Sequence, residues 1–311
     1  MKPTILLTGK TGQLGFELYR LLPKLGELVA PERKELDLRD PEKIRQIMRN
    51  ANPQLVVNAA AYTAVDAAEA DEGTAFAVNA EAPKLFALEA KKIGATLVHF
   101  STDYVFDGSA KAPYDETDPA NPINVYGKTK LAGEQAIRNS GAAHLIFRSS
   151  WVYATHGRNF LLTILQLATE REELRVVHDQ VGAPTRALDL AEETTRVLAG
   201  MIAADSNRFA FPKAGGTYHM TAEGQTTWYE FAKAILDEAR GAPQDLPWLN
   251  LATKGRPLIA RHVVPISTQE FTSPTPRPAY SVLSNARLRR TFGVALPDWH
   301  IQLRRCFSAA I

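Results

Sequence analysis

A doubly wound α/β fold, a parallel sheet covered by helices on both faces with a smaller lobe C-terminal to it, is the architecture this sequence predicts. Strand-length apolar runs alternate with helical stretches through the first 150 residues. Three glycines at spacing three, Gly9, Gly12 and Gly15, stand directly after the first of those runs. Beyond residue 150 the alternation loosens into Pro- and Gly-rich pieces. Such alternation argues for parallel strands joined by crossover helices.

Taken in order, Thr4 to Thr8 reads as a strand, Leu14 to Leu25 as a helix and Glu27 to Ala30 as a short strand. Pro41 to Asn50 reads as a helix, with Asp40 as N-cap ahead of a proline in the first turn. Leu55 to Ala60 is a strand, Glu69 to Ile93 mostly helix, Thr96 to Ser101 a strand, Val125 to Asn139 a helix and Ala143 to Arg148 a strand. Later helices are expected at Asn159 to Thr169, Leu188 to Met201 and Trp228 to Ala239. Phe211 to Gly216 is Pro/Gly-rich, and Thr272 to Pro278, with three prolines, reads as an extended surface strand or loop.

The composition is that of a soluble globular chain: 311 residues, 45% hydrophobic, 23% charged. A net charge of +2 gives no polybasic signal for nucleic acid or a membrane surface. The single cysteine, Cys306, excludes an internal disulfide and reads as a small apolar residue of the last helix. The N-terminal strand is too short and too soon broken by glycine for a signal peptide or a spanning helix, so a cytoplasmic protein is expected.

In Gly9-Lys10-Thr11-Gly12-Gln13-Leu14-Gly15, Gly9 turns the chain sharply, Gly12 leaves room for a pyrophosphate at a helix start, and Gly15 permits close helix–strand packing. The spacing is G-x-x-G-x-x-G. Gly9-Lys10-Thr11 also imitates the end of a P-loop, but Thr4 stands where that motif requires glycine. About 20 residues on, where a ribose-binding acid belongs, stands Glu32, followed by Arg33 and Lys34. The acid suits a 2′-hydroxyl and the cations a 2′-phosphate, which favours NADPH and leaves NADH open. Asp37-Leu38 is expected to begin a short strand beside an adenine site. Residues 1–150 then form a dinucleotide-binding domain, and 151–311 mainly a substrate-binding lobe, with about 184–200 returning to the first domain.

Tyr126 and Lys130 stand at i and i+4 of a predicted helix and share a face. A free phenol has a pKa of about 10, and a nearby ammonium is expected to lower it. His99 to Gly108 follows an apolar strand and so lies at its carboxyl end, where open parallel sheets bind ligands. There Thr102 can hydrogen-bond a carbonyl oxygen beside Tyr126. The strand Leu55 to Ala60 also ends in small residues, which let a cofactor approach the backbone. His178 and His219 read as ordinary strand or loop histidines.

With these motifs in order, the chain resembles the extended short-chain dehydrogenase/reductase family, and within it the dTDP-4-dehydrorhamnose reductases. The closer resemblance rests on Gly9 to Gly15, Ala59-Ala60-Ala61-Tyr62-Thr63-Ala64-Val65-Asp66, Ser101 to Gly108, Pro122 to Glu134, Arg148-Ser149-Ser150-Trp151-Val152-Tyr153, Tyr218-His219-Met220, Trp228 to Ala232 and Arg277-Pro278-Ala279-Tyr280-Ser281. The resemblance implies Thr102, Tyr126 and Lys130 as the catalytic set. It places Thr102, Asp103 and Trp151 at a sugar, and Lys10 to Leu14, Asp37, Leu38, Ala61, Tyr62, Thr63, Tyr126 and Lys130 along the cofactor. It implies hydride transfer to the C4 ketone of dTDP-4-dehydro-L-rhamnose, the last step of dTDP-L-rhamnose synthesis, by a monomer or homodimer acting on a small nucleotide sugar.

Two rivals stand beside that reading. A nucleotide-sugar dehydratase of the same superfamily carries Asp-Glu after its catalytic Ser/Thr, whereas Asp103 is followed here by Tyr104; an epimerase keeps its nicotinamide bound and unchanged. A non-catalytic NADP-binding protein, like the regulatory subunit of methionine adenosyltransferase, would not need the intact Thr102, Tyr126 and Lys130. Some relatives bind magnesium between subunits. Glu17 matches one such position, but Ala187-Leu188-Asp189 does not supply the partner carboxylate where it is expected. Glu17 therefore reads first as an exposed residue of the first helix, with magnesium binding there the weaker alternative.

Overall fold

The computed structural model describes residues 2–202, 215–243, 245–272 and 274–308. β1 (Thr4–Thr8) runs through the glycine turn into α1 (Gln13–Leu21), which tightens into a 3-10 turn at Leu22–Lys24. Then come β2 (Glu27–Val29), α2 (Pro41–Ala51), β3 (Leu55–Asn58), α3 (Val65–Ala70), α4 (Glu72–Phe76), a π-helical turn (Ala77–Glu81) and α5 (Ala82–Ile93). β4 (Thr96–Thr102), α6 (Val125–Ser140) and β5 (His144–Ser149) follow. The chain continues through β6 (Val152–Tyr153), α7 (Phe160–Ala168), β7 (Glu173–Val177), β8 (Val181–Gly182), β9 (Thr185–Arg186) and α8 (Ala187–Ala199). Last are β10 (Gly216–His219), β11 (Thr226–Thr227), α9 (Trp228–Gly241), α10 (Pro247–Thr253), β12 (His262–Ile266), α11 (Ala286–Phe292) and α12 (Trp299–Phe307).

Local chemistry sets the helix ends. Asp40 accepts the backbone N–H groups of Glu42 and Lys43, with Pro41 in the first turn of α2. Asn124, Asn159 and Thr227 cap α6, α7 and α9 in the same way. Gly94 and Gly141 end α5 and α6 in the left-handed conformation. By contrast α1, entered through Gly12, has no side-chain cap.

Six strands form one sheet in the order β10-β5-β4-β3-β1-β2, every pair parallel. Ile5 and Leu7 face one side with Val57, Val98 and Phe147, against Leu14 and Leu18 of α1 and Leu190 and Leu198 of α8. Leu6, Val56, Leu97 and Ile146 face the other, against Ile44 and Met48 of α2, Phe86 of α5 and Ile137 of α6. Both faces are covered, which is why these strands are continuous apolar runs in the sequence. A second core joins α7, α9 and α12 around Leu161, Phe231, Ile235, Trp299 and Leu303. Cys306 is buried there, and burial pushes its thiol up to about 12.

β1 pairs with β2 on one side and with β3 on the other, the chain crossing back over β1 between them. The carboxyl ends of β1 and β3 therefore flank the switch point where an open α/β sheet has its crevice. No strand begins at Asp37-Leu38, contrary to expectation. Arg39 grips Asp37 through two side-chain nitrogens and its own backbone N–H, closing a turn instead and holding the carboxyl down at about 2. The described part of Thr272 to Pro278 is a loop, but not a surface one throughout: Thr275 is buried, and the Pro276 carbonyl accepts from Asn124 at the head of α6. Phe211 to Ala214 lie outside the described residues.

Candidate active site

Gly9 has φ +78°, and a Cβ there would sit 2.7 Å from Ala60 N, so only glycine lets the first turn pack on the end of β3. A Cβ on Gly15 would lie 1.9 Å from the Gly9 carbonyl oxygen, which fixes α1 against the turn. Gly12 differs. Its Cβ would meet only Gly9 O at 3.4 Å, so the fold does not require glycine there. What it leaves is open space over an uncapped helix N-terminus, a cradle whose N–H groups suit a pyrophosphate. Glu32 reaches this loop, pairing with Lys10 at 3.8 Å and Lys34 at 3.2 Å. Gln13 accepts a hydrogen bond from Asn159 at the start of α7, tying the loop to the second core.

Thr102 ends β4, directly beside Ser149 of β5. Its hydroxyl donates to Asp103 Oδ1 at 3.0 Å and accepts the Tyr104 backbone N–H at 3.1 Å. Ser150 donates to the other Asp103 oxygen at 2.9 Å. Burial raises the Asp103 carboxyl, against hydrogen bonds from Ser281, Ser150 and Thr102. Tyr126 lies in the first turn of α6, half-buried, with the Tyr104 ring edge-on at 5.6 Å. Gly127 brings α6 down on this segment, since a Cβ there would sit 2.1 Å from the Tyr104 carbonyl oxygen.

The expected effect of Lys130 on Tyr126 is absent. The phenol is pushed up to about 12, chiefly by burial and also by Asp103, while a hydrogen bond with Thr102 pulls the other way. Lys130, one turn on and 1 % exposed, points across the sheet instead. Its Nζ donates to the Phe100 carbonyl at 2.6 Å and lies 3.3 Å from His99 Nε2. Burial brings it down to about 8, against the Glu134 carboxylate. Phenol and amine share the helix face predicted for them, but the amine is spent on the backbone rather than on the phenol.

Trp151, half-buried just past β5, has φ +48°, a left-handed conformation rare for a bulky residue. Its indole stacks on Trp228 with 3.5 Å between ring centres and 5° between planes. Gly182 makes room for it, because a Cβ there would come within 2.4 Å of the ring. Trp228 in turn donates to Gln180.

Ala61, Tyr62 and Thr63 form the loop after β3. Asn79 in the π-helical turn clasps it, accepting from Tyr62 N at 2.8 Å and donating to Tyr62 O and Thr129 Oγ1 at 3.0 Å each. Asn79 was invisible in sequence, one polar residue in an alanine-rich helical stretch. Asn58, His99, Ser150 and the Arg277 guanidinium, which pairs with Asp66 at 3.1 Å, were missed for the same reason: each works through a partner distant in the chain. Glu17 is not exposed as expected. It is 6 % exposed, paired with Arg20 and with His156 at 3.1 Å each. Among the described residues no group of three or more His, Cys, Asp or Glu could hold a metal ion, and no helix is long and apolar enough to cross a membrane.

Fold and crevice place the chain among dinucleotide-binding oxidoreductases of the extended short-chain type. Comparison with known proteins narrows that class. Residues 1–311 match the family described as the RmlD substrate binding domain. The chain is 47% identical over 302 residues to a dTDP-4-dehydrorhamnose reductase of Burkholderia thailandensis, covering 97% of each chain. It is 43% identical to that of Escherichia coli K12, over 98% of this chain and 97% of that one. A crystal structure of the Bacillus anthracis reductase in complex with NADP superposes with a TM-score of 0.85 at 34% identity, over 99% of both chains. UDP-glucose 4-epimerase from Thermus thermophilus, at 20% identity and a TM-score of 0.73, shares the fold. The chain belongs to the dTDP-4-dehydrorhamnose reductase family.

Proposed function

We propose that the protein reduces the C4 ketone of dTDP-4-dehydro-L-rhamnose to dTDP-L-rhamnose at the expense of NADPH. The observation that carries the chemistry is Tyr126, a phenol that stays protonated at neutral pH, beside the Thr102 hydroxyl at the carboxyl end of β4. Full-length relatives named for this activity support the substrate.

A reduced nicotinamide dinucleotide, when bound, supplies the hydride. Lys10 to Leu14 would hold its pyrophosphate over the uncapped start of α1, with Ala61 to Thr63 beside the ribose. Arg33 would take a 2′-phosphate, joined by Lys34 if it exchanges Glu32 for the phosphate, since Glu32, paired with Lys10 and Lys34, is less available to a 2′-hydroxyl. Asp37 and Leu38 would flank the adenine as a turn rather than a strand. Tyr126 donates the proton that the new C4 alkoxide needs, acting as general acid. A phenol held near 12 is a sound donor to a far more basic alkoxide and does not ionise first. Thr102 steadies the ketone oxygen by turning its proton toward it from Asp103, whose carboxylate keeps the Ser150 hydroxyl. Trp151 offers the sugar an aromatic edge at the crevice. The division into a dinucleotide-binding part up to residue 150 and a sugar-gripping part beyond it belongs to this proposal.

Steady loss of nicotinamide absorbance on mixing the protein, NADPH and the ketosugar tests it, with NADH in a parallel cuvette. One equivalent of NADPH oxidised per sugar reduced is expected. Sugar conversion without nicotinamide consumption would instead mean an epimerase or dehydratase.

A further inference from the structure

Three polar side chains lie in register across the buried carboxyl halves of adjacent strands: Thr8 on β1 opposite Asn58 on β3, and Asn58 opposite His99 on β4. All three are essentially closed to solvent, His99 completely. Asn58 Oδ1 lies 2.6 Å from Thr8 Oγ1, and Asn58 Nδ2 lies 3.1 Å from His99 Nδ1. The other imidazole nitrogen, Nε2, meets Lys130 Nζ at 3.3 Å. A row of this kind in a largely apolar sheet interior costs desolvation at every member. What the row reaches is the active-site amine.

We propose that His99 is the positioning residue for Lys130, a neutral imidazole whose Nε2 lone pair receives the ammonium while Asn58 and Thr8 fix the ring from behind. The inference deepens the proposed function and rests on Lys130 belonging, with Tyr126 and Thr102, to the catalytic set that the family resemblance implies.

The reasoning is one of donors and acceptors. An ammonium has three N–H donors and no acceptor. Phe100 O takes one at 2.6 Å, and His99 Nε2 can take a second only if the imidazole proton sits on Nδ1. Nδ1–H then needs an acceptor, which Asn58 supplies when its amide is turned over, exchanging oxygen and nitrogen of equal shape so that the nitrogen donates to Thr8 Oγ1. The amide as placed, with Asn58 Nδ2 toward Nδ1, puts the proton on Nε2 and demands an uncharged amine. The row therefore selects the charge state of Lys130 as well as its place. Lys130 is the cation facing His99, and burial with that cation disfavours imidazolium. Lys130 itself faces Glu134 one turn along α6, which is tied to Arg138 and Arg148, and shares its helix face with Tyr126.

The test uses the full-length protein with 15N-labelled histidine. At pH 7, with and without NADPH, His99 is expected to show a protonated Nδ1 and a pyridine-like Nε2, its signals identified by their loss in His99→Gln. A protonated Nε2, or an imidazolium, overturns the proposal, since neither can receive Lys130. His99→Asn still faces Asn58 but is too short for Lys130, whereas His99→Gln returns an acceptor near the Nε2 position. With NADPH and the ketosugar, the alkaline limb of kcat/KM should move down by about one pH unit in His99→Asn, the ammonium having lost an acceptor. In His99→Gln it should stay at the wild-type position. A shift in both variants, or in neither, overturns the proposal and leaves His99 a packing residue. The tautomer measurement needs no turnover, so it reports on the Lys130–His99 bond even if the protein reduces some other sugar or none.

Discussion

Tyr126 and Lys130 occupy the positions their spacing predicts, but their electrostatics are the reverse of what a tyrosine–lysine pair suggests. The phenol is up at about 12 and the amine down at about 8, and burial is the main cause of both. With the phenol protonated throughout the working range, the alkaline limb of kcat/KM belongs to Lys130 and should fall near pH 8, read from rates between pH 6 and 10. Tyr126→Phe should lower kcat by roughly 10²- to 10⁴-fold, with NADPH affinity by fluorescence titration changed less than about twofold. A kcat within threefold of wild type would remove Tyr126 from the proton-donor role. Stability carries the same signature. An unfolded lysine keeps its proton up to 10.5 while the folded one loses it near 8, so between those values the unfolded chain binds more protons and stability rises with pH. Below pH 8 the cost of burying the ammonium is present in full. Relative to Lys130→Met, the wild type should therefore gain about 3 kcal/mol in urea unfolding from pH 8 to 10.5. None of this was legible in the sequence. Spacing puts two side chains on one face, but the Phe100 carbonyl and His99 that claim the amine come from β4 and are fixed only by the fold.

At the level of elements, the first strand, turn and helix were nearly complete in the sequence, because apolar period, glycine spacing and a helical stretch all act within a few residues of one another. What the sequence could not distinguish was the work of the three glycines, and the structure separates them. Gly15→Ala should destabilise by about 1–3 kcal/mol, since its methyl group would meet backbone rather than a yielding side chain. Gly12→Ala should melt within a degree or two of wild type yet bind NADPH at least tenfold more weakly, because the methyl fills only the space kept for the ligand. Differential scanning fluorimetry and titration of the two variants check both halves. If Gly12→Ala binds normally, the pyrophosphate lies elsewhere. Asp37-Leu38 shows the opposite limit: a charged segment of apparent strand length becomes a turn because Arg39 closes on Asp37 two residues away. Asn79 is a third case. It joins the loop after β3 to α6, contacts set by tertiary packing that leave no local periodic trace.

Across the whole molecule, the crevice at the end of the sheet is tied to the second core at Gln13–Asn159 and bordered by the Trp151–Trp228 stack. A ligand seated there stabilises only the folded chain. Saturation with NADPH at about 100 times its dissociation constant should add about 2.7 kcal/mol and raise the melting temperature by several degrees. An unmoved transition would argue against a dinucleotide site. The general layout was readable because a doubly wound sheet writes itself as alternating runs. The second core was less so: its helices α7, α9 and α12 are separated by short strands and loops whose partners lie far along the chain, as when β7 pairs with β12. The indole pair has a further use. Two such chromophores at 3.5 Å and nearly parallel are strongly coupled in their excited states. Circular dichroism of the unlabelled protein should then carry an exciton couplet, and a change in that couplet on adding the ketosugar would test the proposed place of Trp151 beside the sugar.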